Sequence, residues 1–189
     1  AMLMLCVMAN ACIPGFLAIY GELLGIERIG LFFTVNALAI LALRFATGSL
    51  ADKLGYRAVL LGSIVSFAIT FLLLGLSRVL LGFLAAAFFA ALGFGLILPN
   101  SQALCMTSVP EDRRNAGSNT IYLGQDIGQF AGPWLAGMLV DALIAKGSSA
   151  GLSYSEANVF AYSRMYLSLI AVLAAAAVLV LLITKRKIG

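Results

Sequence analysis

Six apolar stretches follow one another along the chain, separated by short segments rich in Gly, Pro or charged residues. Each is about as long as, or longer than, the 20 or so apolar residues that a transmembrane helix needs. The pattern therefore predicts an all-α membrane protein, with residues 1–189 forming a single bundle of six transmembrane helices. The predicted spans are about 2–20, 31–50, 58–76, 79–109, 116–145 and 166–184. Because the fourth and fifth exceed one perpendicular crossing, we expect them to tilt or kink, with kinks at Pro99 and Pro133.

Composition supports a lipid environment and argues against catalysis. Hydrophobic residues make up 62% of the chain and charged residues 11%, whereas soluble domains carry about 25% charged residues. The chain has no histidine, and its three cysteines lie in apolar stretches without CxxC spacing. Asp126 and Asp141 lack the sequence context of an intramembrane aspartyl protease. We therefore expect no enzyme activity, no cofactor and no metal site.

The distribution of basic residues predicts how the chain is oriented. If the N-terminus is cytoplasmic, seven bases lie in cytoplasmic segments: Lys53, Arg57, Arg113, Arg114, Lys185, Arg186 and Lys187. Four bases lie on the other side: Arg28, Arg78, Lys146 and Arg164. By the positive-inside rule this bias favours both termini in the cytoplasm. The formal net charge of +4 then reflects membrane topology, and we expect no nucleic-acid partner.

A short charged segment connects the second and third predicted helices. Residues 48–57 read Gly-Ser-Leu-Ala-Asp-Lys-Leu-Gly-Tyr-Arg, and Arg44 stands one helical turn earlier. Gly48 allows two helices to approach closely, Asp52 can accept hydrogen bonds at the N-terminus of a facing helix, and the bases suit the cytoplasmic surface. The alternative is an ordinary polar turn with anchoring bases. The residues of interest are Arg44, Gly48, Asp52, Lys53, Gly55 and Arg57.

This segment resembles the signature loop of the major facilitator superfamily, position by position. The resemblance implies a conformational switch: the loop holds the outward-facing state and releases it during alternating access. It also implies that the six helices are half of a twelve-helix fold, with a solute site near the midplane between the halves. A missing six-helix half, or a second copy in a homodimer, would then complete the site.

The fifth predicted helix has a polar face and a smooth face, as shown by stepping about 100° per residue. The polar arc contains Asn119, Tyr122, Asp126, Gln129 and Pro133, with Gln125 at its edge. The smooth arc contains Gly117, Gly124, Gly128 and Gly132. Because small residues at GxxxG spacing let helix backbones approach closely, we expect the smooth face to pack on a neighbouring helix. The polar face should then line water or ligand.

Asp126 is the central residue of the predicted substrate or proton pathway. It lies roughly 15 Å beyond the start of its helix, near the bilayer centre, where an ionisable residue is costly and usually functional. The alternative is a hydrogen bond to a neighbouring helix. Asn10 in the first helix and Asn36 in the second interrupt apolar runs and are further candidates. Together the candidate pathway is Asn10, Asn36, Asn119, Tyr122, Gln125, Asp126 and Gln129.

The segment Gly124 to Gly137 resembles the eleventh helix of efflux-type facilitators, which favours the C-terminal half. It also partly resembles the fifth helix of drug antiporters, although Trp134-Leu135-Ala136 stands where a second Gly is usual, so the N-terminal half stays the alternative. The resemblance implies a proton-coupled antiporter in a bacterial cytoplasmic membrane. Such a transporter would export a small organic solute by alternating access, with lipid, solute and protons as partners. The rival hypothesis is a six-helix membrane scaffold or assembly partner that transports nothing.

Overall fold

The computed structural model describes residues 1–46 and 50–185, and the side chains of residues 1–44 and 54–182 within that range. Its long helices are α1 (Met2–Leu23), α2 (Leu31–Ala46), α3 (Leu50–Leu76), α4 (Leu80–Ser108), α5 (Arg114–Ser149) and α6 (Tyr154–Lys185). A short 3-10 turn, Glu111–Arg113, precedes α5. No β-strand occurs in the described residues. The predicted all-α class with six helices is confirmed.

Five of the six helices are long and apolar enough to cross a membrane. The exception is α2, whose apolar stretch Leu31–Arg44 is shorter than the others within the described residues. A bilayer offers the backbone no hydrogen-bonding partners, so an apolar chain in lipid satisfies its N–H and C=O groups within helices. Pro99 and Pro133 lie inside α4 and α5, and both helices continue past them.

The connection between α5 and α6 is shorter than the apolar pattern indicated. Helix α5 continues to Ser149 instead of ending at Ala145, and α6 begins at Tyr154 instead of Tyr166. A capping box explains the early start: the Glu156 carboxylate accepts hydrogen bonds from the backbone N–H (3.0 Å) and hydroxyl (2.7 Å) of Ser153. In return the Glu156 N–H donates to the Ser153 hydroxyl. This Ser-x-x-Glu signature is polar, so a search for apolar runs passes over it.

Helix α1 buries one side in the core of the bundle, including Cys6, Cys12 and Tyr20. It packs along α5 and α6, while α3 packs against α4 and α6, and α2 packs against α4. At one end of α1 the Tyr20 ring lies 5.9 Å from the rings of Phe83 and Tyr162 and 5.7 Å from that of Tyr166, measured between centroids. These aromatic contacts join α1 to α4 and α6.

Candidate functional site

Only part of the segment that resembles the signature loop is described. Gly48 and the side chains of Asp52 and Lys53 lie outside the described residues. Arg44 and Arg57 are exposed. Gly55 interrupts α3 with φ +78° and ψ 149°, a left-handed conformation that glycine adopts far more readily than other residues. The backbone therefore changes direction at Gly55, and the role of this loop as a switch stays a prediction.

The smooth face of α5 lies directly on the backbone of α1. A Cβ atom added to Gly128 would lie 2.6 Å from the carbonyl oxygen of Met4, and one added to Gly132 would collide with that of Met8. Gly124 has more room, with 3.9 Å to the Cβ of Met4. The remaining member, Gly117, faces α4 instead, 3.0 Å from the sulfur of Cys105. Helix α5 therefore approaches α1 more closely than a larger side chain at position 128 or 132 would permit.

The polar face of α5 is open. Four of its members, Asn119, Tyr122, Asp126 and Gln129, are exposed, while Gln125 and Pro133 are half-buried. Within the described residues the two ion pairs join Arg113 to Asp112 and Arg114 to Glu111, so Asp126 takes part in neither. The Asp126 carboxylate is therefore available to a cation, a proton or water on this side of the bundle.

Two cavities bring candidate residues from different helices together at Asn10. The first, of about 280 Å³, lies between α1 and α5 and is lined by Asn10, Gln129 and Pro133. The second, of about 180 Å³, lies between α1, α2 and α4 and is lined by Asn10 and Asn36. Asn10, itself half-buried, thus stands between polar groups on α5 and α2.

Asn36 also has a structural contact. Its amide nitrogen Nδ2 donates a hydrogen bond of 3.0 Å to the backbone carbonyl of Ala87 in α4. This bond ties α2 to α4 and fixes the orientation of the amide.

A third cavity, of about 130 Å³, adds a residue that the sequence analysis missed. Gln102 of α4 lines it together with Tyr122 and Ser118 of α5. The Gln102 Nε2 atom lies 3.5 Å from the Tyr122 hydroxyl oxygen, which is a long hydrogen bond. Gln102 follows Pro99-Asn100-Ser101 in an otherwise apolar helix. A polar residue in such a helix could have been predicted from the sequence to line a site.

Several apolar residues that line the Asn10 and Asn36 cavity were also missed, namely Phe32, Phe33 and Phe94. No sequence signal was available for them, because an apolar side chain in a membrane helix can face lipid, core or ligand. The two cavities at Asn10 therefore combine amide groups with aromatic and aliphatic walls, which suits a solute that has polar and apolar parts. The Asp126 carboxylate lines neither of these two cavities. No cluster of His, Cys, Asp or Glu fit to hold a metal ion occurs in the part of the chain that the structure describes.

Comparison of the sequence with known proteins places the chain in a family. The sequence pattern of the Major Facilitator Superfamily matches residues 1–188. Curated relatives include the protein named Multidrug resistance protein MdtG from Serratia proteamaculans (strain 568), which is 33% identical over 141 residues. The MdtG proteins of Yersinia enterocolitica serotype O:8 and Citrobacter koseri (strain ATCC BAA-895) are also 33% identical over 141 residues.

These matches cover different shares of the two chains. Each spans 70% of this chain but 34% of the relative, so the chain matches about a third of the length of the curated proteins. No solved structure gives a significant match.

Proposed function

Because the chain belongs to the Major Facilitator Superfamily, we propose that it supplies one half of a secondary transporter that exports a small organic solute in exchange for protons. The transporter class and the multi-pass membrane location follow from the family and from the apolar helices. Export is supported by the relatives, whose names describe multidrug resistance. The direction, the coupling to protons and the alternating-access cycle are part of the proposal.

One observation carries the proposal: α5 exposes a polar face, and one of the two cavities at Asn10 lies beside that face. Gln129 reaches one of these cavities and Asn36 the other, while Asp126 is exposed on the same helix as Gln129. A polar face in lipid is costly unless water, ligand or protein covers it. A second six-helix bundle placed against this face would enclose a polar cavity near the midplane.

The partner bundle is either another six-helix segment of a twelve-helix transporter or a second copy of this chain. In either arrangement the resemblance of α5 to the eleventh helix favours the C-terminal half. The segment between α2 and α3 would act as the conformational latch, with Arg44 and Arg57 at its exposed ends.

We assign the proton to Asp126. A carboxylate near the bilayer centre that opens to a water-filled cavity can bind a proton in one conformation and release it in the other. A cationic solute would compete for the same negative charge, which couples export of the solute to entry of the proton. Gln129 and Asn10 would then orient the solute by hydrogen bonds.

The test is Asp126→Asn in the full-length native protein, assayed in everted membrane vesicles with ethidium as the probe and an imposed pH gradient. Asn keeps the size and polarity of the side chain but binds no proton, so we expect most of the gradient-driven dye movement to be lost. Asp141→Asn is the matched control, because Asp141 is an exposed carboxylate on the same helix and should retain transport.

Unchanged coupling in Asp126→Asn would overturn the proton assignment while leaving a transporter. If the wild-type protein moves no dye and no other organic solute under any gradient, the proposal of transport fails. The alternative of a non-transporting six-helix scaffold would then stand.

A further inference from the structure

A larger cavity, of about 570 Å³, lies away from the polar face of α5. It is formed where α3 ends and α4 begins, together with the first turns of α6, and is lined by residues that include Leu76, Arg78, Glu156 and Arg164. The order of the helices places it at the end of the bundle opposite the loop between α2 and α3. The proposed transport site does not use it.

Two arginine side chains in this cavity are held in place without a carboxylate partner. The Cζ atom of Arg164 lies 5.4 Å from the centroid of the Phe160 ring, a cation–π contact. The Nη1 atom of Arg78 donates a hydrogen bond of 2.7 Å to the hydroxyl of Tyr20. Neither guanidinium forms an ion pair within the described residues.

The one acid in the cavity wall is engaged elsewhere. The carboxylate of Glu156 accepts hydrogen bonds from the backbone and the hydroxyl of Ser153, which cap α6. Two guanidinium groups therefore share the cavity with a single carboxylate that is directed to the helix cap. Guanidinium groups match the geometry of phosphate oxygens, with which they form paired, charge-assisted hydrogen bonds.

Apart from Ser155 and Ser163, the rest of the wall is apolar. Leu76 is 61% exposed and Leu152 is 39% exposed, and Leu167 contributes a third leucine to the wall. A small inorganic anion would make no use of these leucines, whereas an amphiphile would use both parts of the wall. The volume falls in the range of about 300–1,000 Å³ that is usual for ligand sites.

We propose that this cavity binds an anionic phospholipid. Its phosphate lies between Arg78 and Arg164, and the first segments of its acyl chains follow Leu76, Leu152 and Leu167. The site holds one lipid at the rim of the bundle and joins the α3–α4 turn to α6. This inference rests on the membrane location of the chain and does not depend on the direction or coupling of transport.

The experiment is native mass spectrometry of the full-length protein in detergent, titrated separately with phosphatidylglycerol, phosphatidylcholine and inorganic phosphate. We expect one saturable phosphatidylglycerol per chain, with weaker binding of phosphatidylcholine. Arg164→Gln should raise the Kd for phosphatidylglycerol about fivefold, the effect of one basic residue beside an anionic lipid. The matched control is Arg28→Gln, which removes the same charge from an exposed position between α1 and α2 at the same end and should leave the Kd unchanged.

A second variant gives the opposite sign and guards against misfolding. Glu156→Gln keeps an acceptor for Ser153 but removes the negative charge from the cavity, so the Kd for phosphatidylglycerol should fall by a fewfold. Three results would each overturn the proposal. Phosphatidylcholine could bind as well as phosphatidylglycerol, inorganic phosphate could displace the lipid at equal concentration, or Arg28→Gln could weaken binding as much as Arg164→Gln.

Discussion

The two faces of α5 meet opposite surroundings although they lie on one helix. On one face Gly128 and Gly132 lie against the backbone of α1; on the other, Asp126 and Gln129 are exposed. The glycines pack against another helix of the same bundle, whereas no helix in the described part of the bundle covers these two polar side chains. The difference shows that α5 packs against α1 through its glycine face, while its polar face is left exposed; in the proposed transporter a second bundle would cover that face.

The largest expected effect on folding is at the glycine face. In Gly132→Ala the new methyl group would collide with the carbonyl oxygen of Met8. Because that atom is backbone and cannot rotate away, α1 and α5 must separate, and we expect the free energy of unfolding to fall by about 1–3 kcal/mol. Unfolding in mixed micelles of increasing SDS content measures the change.

Gly124→Ala is the matched control for that prediction. The nearest atom to its new Cβ is the Met4 Cβ at 3.9 Å, an ordinary van der Waals distance. The free energy of unfolding should therefore stay the same or rise slightly. Equal losses in the two variants would show that close approach of α1 and α5 is not what the glycines provide.

A smaller loss is expected where a polar residue is bonded inside the bundle. Asn36→Leu removes the hydrogen bond to the carbonyl of Ala87, and hydrogen bonds between membrane helices average about 0.6 kcal/mol, with larger values near 1.7 kcal/mol. We expect a decrease of that size in the same unfolding assay. Asn119→Leu, on the open face of α5, should change the free energy of unfolding less. A larger loss in Asn119→Leu than in Asn36→Leu would contradict the distinction between a polar residue bonded inside the bundle and one exposed on its surface.

The smallest effect on folding is expected from Gln129→Leu on the open face. Gln129 is exposed, so the free energy of unfolding should change by no more than about 0.5 kcal/mol. Transport of ethidium should nevertheless fall, because Gln129 lines the cavity that it shares with Asn10. Leu123→Ala, at another exposed position of α5, should preserve transport. A strong loss of stability in Gln129→Leu would contradict this prediction, because it would show that Gln129 helps to hold the helices of the bundle together.

Sequence patterns and tertiary structure contribute differently to the candidate site. A rotation of about 100° per residue is enough to predict that the glycines and the polar residues of α5 lie on different faces, without knowledge of the neighbouring helices. Periodicity does not identify the neighbour, and Gly117 faces Cys105 of α4 while Gly128 faces α1. Likewise the start of α6 was misplaced, because the capping box at Ser153 and Glu156 is a local polar signal outside the apolar run.

The amino-acid sequence by itself determined the class and the family of this protein. Long apolar runs in lipid must form helices to satisfy their backbone hydrogen bonds, and the loop at 48–57 resembles that of the family whose pattern matches the chain. Only the tertiary structure decided that Asn10 shares one cavity with Gln129 and another with Asn36, and that Arg78 and Arg164 share one cavity. The physical reason is that the periodicity of a sequence assigns residues to the faces of a single helix. A site between helices depends in addition on which faces pack together and how closely the helix backbones approach.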